Sequence, residues 1–146
     1  MSTLADLLAG DVEPHVFRWV PPATAAPDDV RRLVDEAGWR FAHVDGAGAP
    51  TKPALLAALG EALDFPAHYG ANFDALADCL HDVDAGDRAG TLLLWDDWGR
   101  LATAQPSAFA VALTVLGVRA DAKRGGPFAV LLRGAGPAPA GVPLLG

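Results

Sequence analysis

Apolar residues occur along this chain in short continuous runs and in helical stripes, separated by turns rich in Pro and Gly. The runs at 91–95 and 127–133 predict strands that are covered on both faces, and those at 15–20 and 39–46 predict two more, the first ending at Pro21-Pro22. Apolar residues three and four positions apart predict helices between them. These helices are expected at about 4–8, 27–38, 52–63, 73–82, 98–104 and 106–122.

Strands that alternate with helices predict an α/β fold in which helices pack on a mainly parallel sheet of three to four strands. Neither an internal repeat nor a linker composition divides the 146 residues, which suit one domain over 1–146. The segment 134–146 is rich in Gly and Pro, so we expect a loosely ordered, flexible tail there.

One helix carries an acidic stripe. Asp74, Asp78 and Asp82 are four residues apart, so they lie on one side of a helix that turns about 100° per residue. Like charges at this spacing cost about 0.2–0.5 kcal/mol per pair. The helix dipole favours an acid in the first turn but not one in the last, where Asp82 lies. The stripe burdens folding, so it is expected to serve a partner. The apolar residues of the opposite side are Phe73, Leu76, Leu80 and Val83.

The acidic residues are concentrated in one part of the sequence. The net charge is −7, and nine acids face a single base, Arg88, between Glu61 and Asp97. This balance argues against direct binding of nucleic acid, whose phosphates require Lys and Arg. A local negative field favours a basic protein as partner, although a general solubility role is the simpler interpretation for an acidic protein.

Several observations predict a cytoplasmic protein. No apolar run is long enough for a membrane span, and the first residues lack the pattern of a secretory signal. The lone Cys79 excludes an internal disulfide, and no Cys/His cluster has zinc spacing.

Candidate catalytic chemistry is weak. The segment 45–50, DGAGAP, lacks the spacing of a nucleotide-binding loop and is interpreted as a turn. Cys79 with His68 or His81 would make a nucleophile and base, but a structural thiol is favoured because His81 faces away from Cys79 on a helix. Two aspartates one helical turn apart beside a histidine are common on surfaces, so we predict neither a metal site nor a cofactor.

The segment KPALLAALGEALDFPAHYGANFDALADCLHDV, from Lys52 to Val83, resembles the barstar family of ribonuclease inhibitors. The leucines before the loop, the Pro-x-x-Tyr-Gly-x-Asn turn, Asp-Ala-Leu and Asp-Cys-Leu occur together in the expected order. The resemblance covers residues 39–133 and implies a barstar-like layered fold. Residues 1–38 then form an N-terminal strand-helix extension of the sheet.

The resemblance implies a binding protein rather than an enzyme. An intracellular inhibitor of this kind binds a secreted-type ribonuclease one-to-one and covers its basic active site with an acidic loop and helix. Aspartates on a rigid helix would then occupy the positions of RNA phosphates. The positions that match contact residues of the family, or lie beside them, are His68, Tyr69, Gly70, Asn72, Phe73, Asp74, Ala77, Asp78, His81, Asp82 and Asp121.

Four of these positions depart from the family pattern. His68 stands where the family has a tyrosine, Ala77 where it has a tryptophan, and His81 and Asp82 change the helix end. Two alternatives stay open. One is a barstar-like interaction module that binds a different basic partner without inhibiting a nuclease. The other is a metal-dependent enzyme that uses His68, Asp74 and Asp78.

Overall fold

A five-stranded parallel sheet forms the middle layer of the computed structural model, which describes residues 2–20, 25–137, 139 and 141–146. The strand order is β2-β3-β4-β1-β5, and every neighbouring pair is parallel. The strands are β1 (Val16–Trp19), β2 (Arg40–Asp45), β3 (Thr91–Asp96), β4 (Phe128–Arg133) and β5 (Leu144–Leu145).

Six α-helices are described, each within two residues of its predicted bounds. They are α1 (Leu4–Leu8), α2 (Pro27–Glu36), α3 (Lys52–Ala62), α4 (Phe73–His81), α5 (Gly99–Ala104) and α6 (Pro106–Asp121). The turn predicted at 45–50 contains a short 3-10 helix, Gly46–Gly48. The predicted break at Pro21-Pro22 lies outside the described residues.

Helices cover both faces of the sheet, which confirms the predicted α/β class. On β3, Leu93 and Trp95 belong to the core beneath α3, α4, α5 and α6, whereas Leu92 and Leu94 belong to the core shared with α1 and α2. All four side chains are fully buried, as the continuous apolar run 91–95 predicts. The larger core therefore supports the helices that carry the acidic residues.

The sheet has five strands rather than the three to four expected. The additional strand, β5, comes from the tail, where Leu144 pairs with Arg18 and Leu145 with Trp19. Leu145 is fully buried, so this part of the tail differs from the loosely ordered segment that its composition suggests. A two-residue strand in a Gly- and Pro-rich setting gives no periodic signal, because its order depends on pairing with β1.

Residues 1–38 contribute an internal strand of the sheet as well as two helices. β1 lies between β4 and β5, and its register pairs Val16 with Val130. Trp39 Nε1 donates a hydrogen bond of 3.0 Å to the Leu8 carbonyl oxygen. The N-terminal extension is thus joined to the rest by main-chain pairing and by side-chain hydrogen bonds.

A second tie lies at the carboxyl ends of the strands. Arg133 donates to the Ala25 carbonyl oxygen (2.7 Å) and to both carboxylate oxygens of Asp96, which also bonds His43 Nε2 at 2.8 Å. Burial raises the pKa of Asp96, but the hydrogen bonds and charges of Arg133 and His43 outweigh burial and hold that pKa below its usual value. Asp96 is therefore an ionised structural anchor.

Candidate partner-binding surface

The loop that begins this surface starts where α3 ends. Asp64 adopts a left-handed conformation (φ 56°), which lets the Phe65 N–H reach back to the Gly60 carbonyl oxygen at 2.8 Å and the Asp64 N–H to that of Glu61 at 3.3 Å. This pattern is the Schellman motif, in which a residue in the left-handed region ends a helix. Asp is among the residues other than Gly that tolerate this conformation best. The motif fixes the direction in which the loop leaves α3.

Tyr69 anchors the middle of the loop. Its hydroxyl donates to the Leu56 carbonyl oxygen at 3.1 Å, and its ring meets that of Phe65 edge-on at 5.0 Å between centroids. Burial, with a smaller contribution from Cys79, raises the pKa of Tyr69 to about 12. The side chain is half-buried, so Tyr69 shapes the loop while one part of the ring still faces the groove described below.

Asn72 and Phe73 place the start of α4. The Asn72 side chain accepts a hydrogen bond from the Ala75 N–H at 2.7 Å, which confirms its predicted role as N-cap. The Phe73 ring packs against the larger core, and Lys52 Nζ lies 4.8 Å from its centroid. Both residues hold the helix in position: the Asn72 oxygen is engaged, and Phe73 is half-buried.

An acidic groove of about 590 Å³ runs between the loop and α4. Four carboxylates on the loop, on α4 and just after α4 line it, and all four residues are exposed; they are Asp64, Asp78, Asp82 and Asp84. His68, Tyr69 and Gly70 of the predicted site also line the groove. One base, Arg40, lies at its wall and donates to the Leu63 carbonyl oxygen at 3.0 Å.

The pKa of Cys79 reflects the negative charges that line this groove. The half-buried thiol lines the groove beside Asp78 and Asp82. Burial, followed by the charges of Asp82 and Asp78, raises the pKa of Cys79. A raised pKa disfavours the thiolate, which is the nucleophilic form, so the environment suits a structural thiol.

Arg119 of α6 compensates the acidic end of α4. Its guanidinium is buried and donates to the carbonyl oxygens of Leu80 (2.8 Å) and Val83 (2.9 Å). These contacts pair carbonyl groups at the end of α4 and place a positive charge at the negative pole of the helix. Arg119 therefore offsets the negative end of α4 in a way that the local sequence around α4 does not reveal, and Asp84 is the acid whose charge acts on Arg119.

Ala77 and His81 face a different groove. They line a smaller space of about 190 Å³ between α4 and α6, together with the α4 residue Leu80 and with Val115 and Val118 of α6. The two aspartates Asp78 and Asp82 lie on the side of α4 that lines the acidic groove. The predicted site is thus divided between two neighbouring surfaces that share α4.

Two predicted acids lie outside the lining of both grooves. Asp74 is exposed in the first turn of α4, one helical turn before Asp78. Asp121 ends α6, and its carboxylate lies 4.0 Å from His15 Nδ1 of the N-terminal extension. Asp74 extends the acidic stripe of α4, whereas Asp121 is closest in its ion pairing to β1.

The residues of the metal-enzyme alternative do not form a cluster. Across residues 2–20, 25–137, 139 and 141–146, no three His, Cys, Asp or Glu side chains come together in a way that could hold a metal ion.

No helix in the described part of the chain is long and apolar enough to cross a membrane.

Sequence reasoning placed Asp78, Asp82, His68, Tyr69 and Gly70 on one surface but missed other residues that line it. Asp64 and Asp84 were part of the acidic segment, and their position directly after each helix was the available signal. Arg40 gave none, because its place in the groove depends on the hydrogen bond that it donates to the Leu63 carbonyl oxygen, 23 residues away in the sequence.

These features define an α/β protein with a parallel sheet and an acidic loop-helix surface. A family model described as Barstar (barnase inhibitor) matches residues 39–133, and the chain therefore belongs to the barstar family. Comparison with curated proteins gives no match.

Among solved structures, the chain is similar to the Aeropyrum pernix ORC2 protein in its ADPNP-ADP complexes (TM-score 0.57, 16% identity) and in its ADP form (TM-score 0.56, 14% identity). In both cases 91% of this chain is covered, and the chain spans 38% of the length of the ORC2 chain. At this identity the likeness shows the fold alone.

Proposed function

We propose that this protein is an intracellular inhibitor that binds one ribonuclease molecule and blocks its basic active site. The observation that carries the proposal is the acidic groove, which lies within the segment matched by the barstar family. Four aspartates surround it against the single base Arg40, so its field suits a ring of Arg, Lys and His. We further propose that Asp74 extends this surface along α4. The protein acts by binding and carries out no catalysis.

Rigid positioning supports the proposal. Asn72 caps the start of α4, Arg119 holds its end, and Tyr69 ties the preceding loop to α3. Carboxylates held in this way lose little side-chain and loop freedom on binding, which favours affinity. Their charges would also speed association with a basic partner and favour that partner over neutral proteins.

Inhibition of RNA cleavage tests the proposal. Barnase, the target in the family description, and other small basic secreted ribonucleases would be titrated with the wild-type protein and with Asp78→Asn. Removing one partner of a buried, hydrogen-bonded charge pair at an interface costs about 2–5 kcal/mol of binding free energy. We therefore expect Asp78→Asn to inhibit at least tenfold more weakly than the wild type. The matched control is Asp28→Asn, an exposed acid on α2, which should inhibit like wild type. Added salt should weaken inhibition by the wild type.

Two results would contradict the proposal. One is the absence of inhibition across the ribonuclease panel together with no ribonuclease retained from the native host. The other is inhibition that survives in an Asp74→Ala/Asp78→Ala double variant.

A second candidate is an interaction module for a basic protein that is not a nuclease. The groove of about 190 Å³ between α4 and α6 favours this candidate, because Ala77 leaves open space beside the acidic stripe. A non-nuclease partner that binds the wild type but not the double variant would establish it.

A further inference from the structure

A pocket of about 310 Å³ lies between α2 and the edge strand β2, and Arg40 is the residue that it shares with the acidic groove. Three arginines from different parts of the chain line it: Arg31 of α2, Arg40 of β2 and Arg88 of the segment that leads into β3. The other lining residues are Asp35 and Phe41. Three bases in one small pocket are unexpected in a chain with a net charge of −7.

The pocket has a positive excess that structural pairing does not remove. Asp35 is its only acidic lining residue, and it binds Arg88 with an Oδ1–Nη2 distance of 2.6 Å. Arg40 pairs with the neutral carbonyl oxygen of Leu63, and the Arg31 guanidinium lies 4.8 Å from the centroid of the Phe41 ring. Among the lining residues, three guanidinium groups stand against one carboxylate at pH 7, because arginine stays protonated; Arg31 and Arg88 line this pocket and not the acidic groove, whereas Arg40 lines both.

One buried donor of a residue that lines the pocket has no partner among the described residues. Arg88 Nη2 is engaged by the carboxylate and carbonyl oxygens of Asp35 and by the carbonyl oxygen of Trp39 (2.7 Å). Arg88 Nε, in contrast, is buried without a hydrogen-bond partner among the described residues. A buried unpaired donor is costly, and an oxyanion that reached Arg88 Nε from the pocket would satisfy it.

We propose that Arg31, Arg40 and Arg88 form a binding site for a small phosphate-bearing molecule. A phosphate monoester carries about 1.5–2 negative charges at neutral pH, which complements the arginines that line the pocket. Guanidinium groups bind phosphate oxygens through paired N–H donors, and Phe41 offers an apolar wall for the organic part. The net charge of −7 disfavours nucleic acid as the source of the phosphate.

The test uses inorganic phosphate as the probe, titrated into the intact protein at constant ionic strength and followed by NMR of backbone amides and arginine Nε–H groups. We expect a saturable shift of the Arg88 Nε–H signal at millimolar phosphate. Arg31→Gln should weaken binding by about tenfold through loss of a charge-assisted contact, and Arg40→Gln should do the same. The control is Arg124→Gln, an exposed arginine after α6 that does not line the pocket.

Arg31→Gln is the more informative variant, because Arg31 is exposed and its contact with Phe41 is at the surface. No saturable shift with phosphate would overturn the proposal. Equal weakening by Arg31→Gln and Arg124→Gln would also overturn it, because the effect would then be general charge attraction. A parallel titration with acetate distinguishes a phosphate site from a carboxylate site. Acetate binding as tight as phosphate binding would refute the assignment to phosphate.

Discussion

A Cβ atom added to Gly60 would lie 2.8 Å from Cε2 of Tyr69, so the ring of Tyr69 occupies the space that the missing side chain leaves on α3. The Tyr69 hydroxyl reaches the Leu56 carbonyl oxygen one helical turn earlier. These contacts fix the loop that leads into the acidic helix α4. The position of the acidic groove therefore depends on Gly60, a residue within α3 that does not line the groove.

Gly60→Ala should destabilise the protein, although alanine is the better helix former. The added methyl group must displace the Tyr69 ring, and such overpacking costs about 1–3 kcal/mol. The control is Gly117→Ala on α6, where an added Cβ meets nothing within 4 Å. This change should stabilise by about 0.5–1 kcal/mol. Urea unfolding measures the change in the free energy of unfolding for both variants. If Gly60→Ala also stabilised the protein, the close contact between Gly60 and Tyr69 would be contradicted.

Tyr69 should remain protonated well above the ordinary tyrosine pKa of 10.0, because burial raises its pKa to about 12. Tyr69 is the only tyrosine, so ultraviolet absorbance during an alkaline titration reports it alone. Between pH 10 and 12 the unfolded chain has lost a proton that the folded chain keeps. The stabilising contribution is complete below pH 10 and is lost as the pH rises through this window.

The control for this pH dependence is Tyr69→Phe. It should lose about 0.5–1.5 kcal/mol at neutral pH with the hydrogen bond to Leu56, and it should show a smaller decrease in stability above pH 10 than wild type. If Tyr69 of the folded protein lost its proton with an ordinary pKa of 10.0, the burial of its ring and its hydrogen bond to Leu56 would be contradicted.

The single thiol should measure the field of the acidic groove. Burial and the charges of Asp82 and Asp78 raise the pKa of Cys79, so the folded protein should react slowly with a disulfide reagent at pH 8. Asp82→Asn removes one of the two charges and should speed the reaction severalfold. Asp28→Asn, on α2, should leave the rate unchanged. Equal rates for all three proteins would show that the aspartates do not act on Cys79.

Arg119→Met should destabilise α4 and weaken partner binding together. The change leaves the carbonyl groups of Leu80 and Val83 without their donor, at about 1–3 kcal/mol for each unpaired group. The exposed Arg124→Met is the matched control. Arg119→Lys should recover part of the stability, since one ammonium group can serve one carbonyl. Urea unfolding and amide exchange of α4 would detect these differences, and an Arg119→Met protein as stable as the control would contradict the role.

Most of the fold follows from the sequence, because every helix and strand except β5 has a local signal. The apolar run of β3 needs no tertiary information, and Thr51 and Asn72 mark helix starts by their capping side chains. β5 had no such signal, because two leucines form a strand only when a neighbouring strand is present. The five-strand order likewise depends on which strands meet in space rather than on their order in the chain.

The candidate site was predictable only in part. The spacing of Asp78 and Asp82 places them on one side of α4 in any helix, and the structure agrees. Helical spacing alone does not say which neighbour each side of the helix faces, so Ala77 and His81 were grouped with the acids although they face α6. The resemblance to the family implies a contact role for Asp121, but this carboxylate lines neither groove and lies 4.0 Å from His15 Nδ1 of the N-terminal extension.

The insertion of β1 between β4 and β5 has a consequence for solubility. The matched segment 39–133 ends at β4, whose outer main-chain groups bond β1. Without the N-terminal extension, β4 would present an open row of donors and acceptors flanked by buried residues such as Val130 and Leu131. Unprotected edges of this kind pair with other chains. We therefore expect the N-terminal extension to protect the edge of β4. Residues 39–133 alone should aggregate at concentrations at which the whole chain stays in solution.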